Sequence, residues 1–414
     1  MPDENAALQP RVLAMVLAGG EGSRLYPLTS HRSKPSVPFG GRYRIVDFVL
    51  SNFINSQIFS VYLLVQYKSQ SLIEHVRKAW ELSPILAGHF VTVVPPQMRE
   101  GPNWFQGTSD AIYQNLNLIR LHRPDVVAVF GADHIYRMDI RQMLRFHLDR
   151  KGDVTVAALP QRLSLARSFG VIDTDRECRV HEFQEKPEHP KSMPGDANRA
   201  YVSMGNYLFD TDVLIEVLEE AHRRGEKDFG KDVLPRMLGS HRVYAYDFCT
   251  NVVPGTKACE ESPYWRDVGT IQAYWEAHQD LLGLEPPFDL FNPLWPIRSG
   301  PYDGPIAKVI EGTLHNSIIG AGSLVNGATV RNSVIRQEVL LEPDVVIEDC
   351  IIMDYCMVHR GSRLRRVIVD RYNVIPENSR IGFDRDEDAK RYHVDPASDI
   401  VTVPQGVREL DLVY

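Results

Sequence analysis

The residues most suited to chemistry cluster near the start of the chain. Leu17-Ala18-Gly19-Gly20-Glu21-Gly22-Ser23-Arg24-Leu25 follows a short apolar run. Glycines there let backbone N–H groups approach phosphate oxygens closely, and Arg24 adds a fork of charged donors. Arg32 and Lys34 follow in Thr29-Ser-His-Arg-Ser-Lys-Pro35, and Arg42 and Arg44 in Gly40-Gly-Arg-Tyr-Arg44. The net charge is -8, so a polyanion site needs its positive charge supplied locally, and this segment supplies it. The plainer alternative is a strand-to-helix turn beside a solvated basic face. Three other motifs do not carry weight. Gly20-Glu-Gly22 lacks the third glycine of a dinucleotide fingerprint, which is Leu25 here. Gly225–Lys231 resembles a phosphate loop, but Asp232 stands where Ser or Thr is needed. Asp228-Phe-Gly230 resembles a kinase triplet without the accompanying motifs.

The elements that must hold these residues have an α/β rhythm. Val12–Leu17, Val61–Val65, Val126–Phe130 and Val154–Leu159 read as buried strands. Gln70–Trp80, Ala111–Leu121 and Asp139–Arg150 read as helices between them. Alternation of this kind predicts a Rossmann-like, mostly parallel sheet covered by helices, with ligands beyond the carboxyl ends of its strands. After Leu284, six prolines from Pro286 to Pro305 mark an ordered connector. Beyond it aliphatic residues recur every six positions: Ile318, Leu324 and Val330, then Val334 to Leu364, then Ile368 and Val374, with two slips of four. That period predicts a left-handed parallel β-helix. The expected divisions are a catalytic domain over 11–284, a connector over 285–305 and a β-helix with a tail over 306–414. The β-helix is expected to pack on the first domain or on another subunit.

Composition excludes several classes. At 43 % apolar and 24 % charged residues the chain is ordinary for a globular protein. An acidic balance gives no reason to expect nucleic acid, and no apolar run is long enough for a membrane span. The polar, acidic start, Met1 to Pro10, lacks the pattern of a signal peptide. Five cysteines form no CxxC pair and read as inert thiols in a reducing cytoplasm, with a Cys350–Cys356 redox switch as the alternative.

The run from Leu17 through Thr29, with Ser33-Lys34-Pro35, resembles the signature of sugar-1-phosphate nucleotidyltransferases. Four further stretches narrow the likeness: Gly40 to Phe48, Asn103 to Ala111, Gly131 to Tyr136 and Tyr264 to Thr270. As a set they resemble the bacterial glucose-1-phosphate adenylyltransferases, from about Val12 past Ile381. The resemblance implies an in-line displacement in which glucose 1-phosphate attacks the α-phosphorus of ATP and pyrophosphate leaves. It implies Arg24 and Lys34 on the triphosphate, and Leu17, Ala18, Gly19, Gly20, Gly22, Gln66 and Gly107 around the nucleotide. Asp133 and Asp267 are implied as Mg2+ ligands, Asp133 being catalytic with Arg24 and Lys34. Glu185, Lys186, Ser203, Gly205, Asp228 and Phe229 are implied on the sugar phosphate. His134, Trp104, Trp265 and Trp275 read as structural. A homotetramer under allosteric control by small anions is also implied, with Arg32, Arg42 and Arg44 as an effector cluster. His31, Pro38, Phe105 and Gln106 replace a lysine, a histidine, a tyrosine and an arginine of enteric members, so the effectors' identity stays open. Rival readings are a different nucleotide or sugar, an inactive regulatory subunit, or a hexapeptide-repeat acyltransferase.

Overall fold

In the computed structural model, residues 10–83, 85–98, 101 and 103–407 are described. The N-terminal residues before Pro10 and the tail from residue 408 lie outside them. The strand Val12–Leu17 (β1) shows why its run is apolar throughout. Leu13 and Met15 enter one core layer, while Ala14 and Val16 enter the layer on the opposite face. A strand buried on both faces cannot alternate with polar residues. The strand Val126–Gly131 divides the same way, with Val127 and Val129 on one side and Val126, Ala128 and Phe130 on the other.

The N-terminal half contains β1, helix α1 (Ile45–Asn55), β2 (Ser60–Leu64), α2 (Gln70–Ala79), β3 (Phe90–Val94), α3 (Thr108–Tyr113) and α4 (Leu116–His122). It continues with β4 (Val126–Gly131), β5 (His134–Tyr136), α5 (Ile140–Asp149), β6 (Val154–Arg162), β7 (Gly170–Thr174) and β8 (Val180–Glu185). Then come β9 (Arg199–Asp210), α6 (Thr211–Arg224), β10 (Val243–Asp247), β11 (Trp265–Asp267) and α7 (Ile271–Gln279). The main sheet runs β8-β7-β9-β4-β1-β2-β3, with β6 on β9 and β10 on β6. Its four strands β4, β1, β2 and β3 are parallel, so their carboxyl ends share one rim. Strand β9 joins antiparallel, and its register slips between Ser203 and Tyr207 around Gly205 at φ 71. Such a bulge bends the strand and sharpens its local twist.

The expected single helix over Ala111–Leu121 is two short ones, α3 and α4, broken at Gln114–Asn115. Asn115 turns its side-chain amide onto the Ala111 carbonyl, 2.8 Å away, which competes with the helix ladder. Trp104 is 51 % exposed, not packed as its type predicts. Trp265 is buried, and Trp275 donates to the Asp349 carbonyl across the seam.

Residues 284 to 307 contain neither helix nor strand. The chain then winds into parallel coils. Val325, Leu341, Val358 and Ile375 stack on one face, and Val330, Ile347, Leu364 and Ile381 on another. A strict six-residue spacing misses this phase in places. Leu324, Leu340, Val346 and Val374 are only partly buried or exposed, and their following neighbours point inward. The coils close at corners that accept left-handed backbone. Gly327 and Gly361 are two of these, but Asp344 and Asn378 fill the equivalent corners at φ 65 and 55. Short amide and carboxylate side chains tolerate that conformation.

The β-helix packs on the N-terminal half. Ile351, Met353, Ile368 and Ile400 share a core with Phe39, Ile271 and Tyr274. Arg336 donates through Nη1 to the carbonyls of Phe39, Gly40 and Tyr43. Arg32 and Asp370 form an ion pair at the same seam, with side chains 2 % and 0 % exposed. Cys350 and Cys356 are buried in the coils, and burial pushes the Cys350 thiol up to about 12 and Cys356 up as well. Cys249 is exposed, yet its thiol is held at about 11 by partial burial and Asp247. Thiols held in this range stay protonated at neutral pH.

Candidate functional site

The parallel rim opens into a cleft of about 610 Å³. Most of the sequence-selected residues line it. Leu17 ends β1, Ala18, Gly19, Gly20, Gly22 and Arg24 come from the segment after it, and Gln66 lies two residues past β2. Lys34 enters from a short helical turn, Lys34–Ser36. Gly22 is fixed by two demands. Its φ is +65, and a Cβ there would lie 3.1 Å from the Cβ of Lys34. A side chain would strain the backbone and push Lys34 away from the rim.

Asp133 and Asp267 meet through a small antiparallel ribbon. Strand β5 pairs with β11, and His134 is opposite Asp267. Two buried asparagines anchor this end of β4 and β5. Asn206 accepts from the Gly131 amide and donates to the Tyr136 hydroxyl. Asn52 bonds the Tyr136 carbonyl and the Met138 amide. The Lys34 ammonium donates to Asp133 Oδ2 at 3.0 Å and to Asp267 Oδ1 at 2.9 Å. Burial alone would lower the Lys34 pKa, but the two carboxylates outweigh it and raise it. Burial pushes Asp133 up, and the charges of His134 and Lys34 hold it well below the usual range. Part of the Asp133 side chain still faces the cleft, 40 % exposed. Arg24 completes this cluster. A Cβ on Gly269 would lie 3.0 Å from Asp267 Oδ1 and 3.1 Å from Arg24 Nη2.

Across the cleft, Glu185, Lys186, Ser203, Gly205 and Asp228 also line the wall. Lys186 sits at φ 49 directly after β8 and pairs loosely with Glu185 at 3.2 Å. Phe229 does not line the cleft. It is 1 % exposed and packs against Phe209 and Tyr207 beneath the wall. Gly107 also lines the cleft, as does Gln66, which donates to the Phe105 carbonyl.

Arg32, Arg42 and Arg44 lie away from the cleft. Arg32 is committed to Asp370 and donates through Nε to the Leu28 carbonyl. Arg42 donates to the Gly300 carbonyl, and Arg44 to the carbonyl and hydroxyl of Ser71. Burial, with Arg371 nearby, lowers the Arg44 pKa to about 10.

Two features escaped the sequence. The Thr108 hydroxyl donates to Asp228 Oδ2 at 3.0 Å and accepts from the Phe229 amide at 2.9 Å. This ties the start of α3 to the wall that carries Asp228, and no local spacing signals it. His134 packs at a tilt against Trp265, with ring centroids 4.8 Å apart, and its Nε2 is 3.4 Å from Asp133 Oδ1. Ligand atoms of Asp133, His134 and Asp267 lie within 4.8 Å of one another. Two carboxylates that already hold one cation suit a hard divalent ion. The adjacency of His134 to Asp133 was the only available sign of its place there.

A glycine-rich anion cradle facing paired carboxylates at a parallel rim defines a nucleotidyl transferase, and the family comparisons agree. The nucleotidyl transferase model matches residues 13–283, and the GlmU-like C-terminal hexapeptide model matches 306–403, the left-handed β-helix. A glucose-1-phosphate adenylyltransferase of Thermodesulfovibrio yellowstonii is 56 % identical over 98 % of both chains. Relatives of the same name in Thermus thermophilus and an Anaeromyxobacter species are 48 % and 45 % identical, over 96 % of this chain and 99 % of each relative. The chain therefore belongs to the glucose-1-phosphate adenylyltransferase family, whose nucleotidyl transferases generally use a divalent metal.

Proposed function

We propose that this chain makes ADP-glucose and pyrophosphate from ATP and α-D-glucose 1-phosphate, the committed step of glycogen or other storage-glucan synthesis. A phosphate oxygen of the sugar phosphate forms the new bond to the α-phosphorus. The bond from that phosphorus to the bridging oxygen breaks, and pyrophosphate carries the electron pair away. The nucleophile is already an anion, so no triad or covalent intermediate is required. Alignment and charge neutralisation carry the rate.

The loop Leu17–Gly22 and Gly107 cradle the nucleotide, with Gln66 at the base. Arg24 and Lys34 neutralise the triphosphate as charge develops on the leaving group. Lys186 holds the sugar's phosphate, and Glu185, Ser203, Gly205 and Asp228 take its hydroxyls. Phe229 acts from below, by setting the backbone that carries Asp228. Asp133 and Asp267 would hold a divalent ion, proposed as Mg2+, which when bound screens the repulsion between the two phosphates.

One observation carries this reading. Lys34 is bonded to both Asp133 and Asp267, which lie 99 and 233 residues away in sequence, inside a single cleft. The test is pyrophosphate release from ATP plus glucose 1-phosphate, with and without Mg2+, for the native chain and Asp133→Asn. A loss of about a hundredfold or more supports the assignment, the scale expected for one preorganised electrostatic group. A variant retaining a tenth of the activity or more removes Asp133 from its role.

The wider setting is proposed on the same footing. No helix among the described residues is long and apolar enough to cross a membrane. We assign the chain to the cytoplasm, as a homotetramer regulated by small anionic effectors. Arg42 and Arg44 are the proposed effector contacts, with Arg32 holding the seam behind them.

A further inference from the structure

The carboxylate pair at the rim already carries a cation of the protein's own. Lys34 Nζ sits 3.0 Å from Asp133 Oδ2 and 2.9 Å from Asp267 Oδ1. The lysine side chain is 8 % exposed, and the carboxylates are 40 % and 23 % exposed. The ammonium thus lies on the protein side of the pair, and the carboxylates face the cleft. Its backbone is held by the Lys34–Ser36 turn against Gly22. The stem above it remains a flexible four-carbon chain that can redirect its charge. Two carboxylates this close repel each other, and a cation spanning them offsets that repulsion. A divalent ion would draw on the same two carboxylates, and at that range the ammonium that already neutralises them repels it.

We propose that Lys34 is a built-in competitor for the divalent ion. In the ligand-free protein it compensates Asp133 and Asp267 and keeps their affinity for a free ion low. Phosphate oxygens of the incoming nucleotide offer the ammonium a second partner. Lys34 moves onto them, and the carboxylates are released for the ion at the moment the nucleotide is present. One side chain therefore serves two states, as counter-ion before loading and as phosphate ligand after it. The order of loading follows: ion with nucleotide, not ion first. This rests on the reading of Asp133 and Asp267 as the metal pair.

The test is Mn2+ titration of the full chain without nucleotide, with free Mn2+ read by electron paramagnetic resonance. Lys34→Met and Lys34→Gln should each bind Mn2+ about tenfold to a hundredfold tighter than the native chain, the range spanned by charge-assisted bonds to carboxylates. Lys34→Arg, which keeps the charge, should stay near the native affinity. Asp133→Asn placed in the Lys34→Met background should abolish the gain. Equal affinity in the native chain and both neutral variants, still lost with Asp133→Asn, overturns the competitor role and leaves the metal pair standing. Binding that ignores Asp133→Asn in every background overturns the metal pair, and the competitor role with it.

Discussion

Gly107 offers a sharp test of how the two sides of the cleft are joined. Its backbone is extended, at φ 176, which any residue can adopt. The constraint is space. A Cβ there would lie 2.2 Å from the Lys227 carbonyl oxygen and 2.8 Å from its carbon. Relief to ordinary contact requires the two segments to part by about 1 Å. The seam they would open is specific. The amides of Ser109 and Asp110 donate to the Lys227 oxygen at 3.0 and 3.3 Å. Beside them Thr108 bonds Asp228 and Phe229, and Lys227 reaches Gln106.

Gly107→Ala should therefore displace the start of α3 from the loop bearing Asp228. A misplacement of about 1 Å can cost about a hundredfold in rate. The lost backbone bonds withdraw about 1–3 kcal/mol of stability, too little to unfold a typical domain. The assay is initial-rate pyrophosphate release, varying ATP and glucose 1-phosphate in turn. The expected result is a fall of about a hundredfold in kcat/KM for both substrates, because the seam serves both walls. Gly239→Ala, where a Cβ meets nothing within 4 Å, is the silent control. A Gly107→Ala enzyme within about threefold of native for either substrate would refute the coupling.

Two further outcomes concern the seam between the domains. Asp370→Asn strands the buried Arg32 guanidinium, whose Nη1 already has no partner, and should cost about 3–5 kcal/mol in urea unfolding. The double exchange Arg32→Met with Asp370→Leu should recover most of that loss. A loss under about 1 kcal/mol for Asp370→Asn would mean the pair is not load-carrying. Acid should also loosen this region through His278. Its Nδ1 donates to the Tyr274 carbonyl, and its Nε2 accepts from the Gly40 amide, so the folded state needs it neutral. Burial lowers its pKa from 6.5 to about 3. The unfolded chain thus binds the extra proton first, and stability falls as pH drops below about 6.5. The loss reaches about 2.5 kcal/mol near pH 4.5, and His147, lowered to about 4 by burial, adds to the same slope. His278→Gln should flatten the slope in urea midpoints measured at about pH 7 and 4.5; an unchanged slope would exclude His278 as its source.

What the sequence made legible follows from how far each signal reaches. The strand Val12–Leu17 was readable to the residue, because burial on both faces writes a local apolar run. The rim loops followed, since a parallel sheet puts its strand ends together. Patterns that depend on phase were readable only in outline. The β-helix period was visible, but a coil that slips by one residue moves Val325 inward in place of Leu324, and spacing alone does not register that. Contacts between remote segments left no trace. Thr108 and Asp228 stand 120 residues apart, and Lys34 and Asp267 stand 233 apart. A motif therefore reported that Lys34 belonged at the rim, but not what it does there before substrate arrives. Its short helical turn, its burial and the two carboxylates converge on one ammonium, and only the folded rim brings the three together.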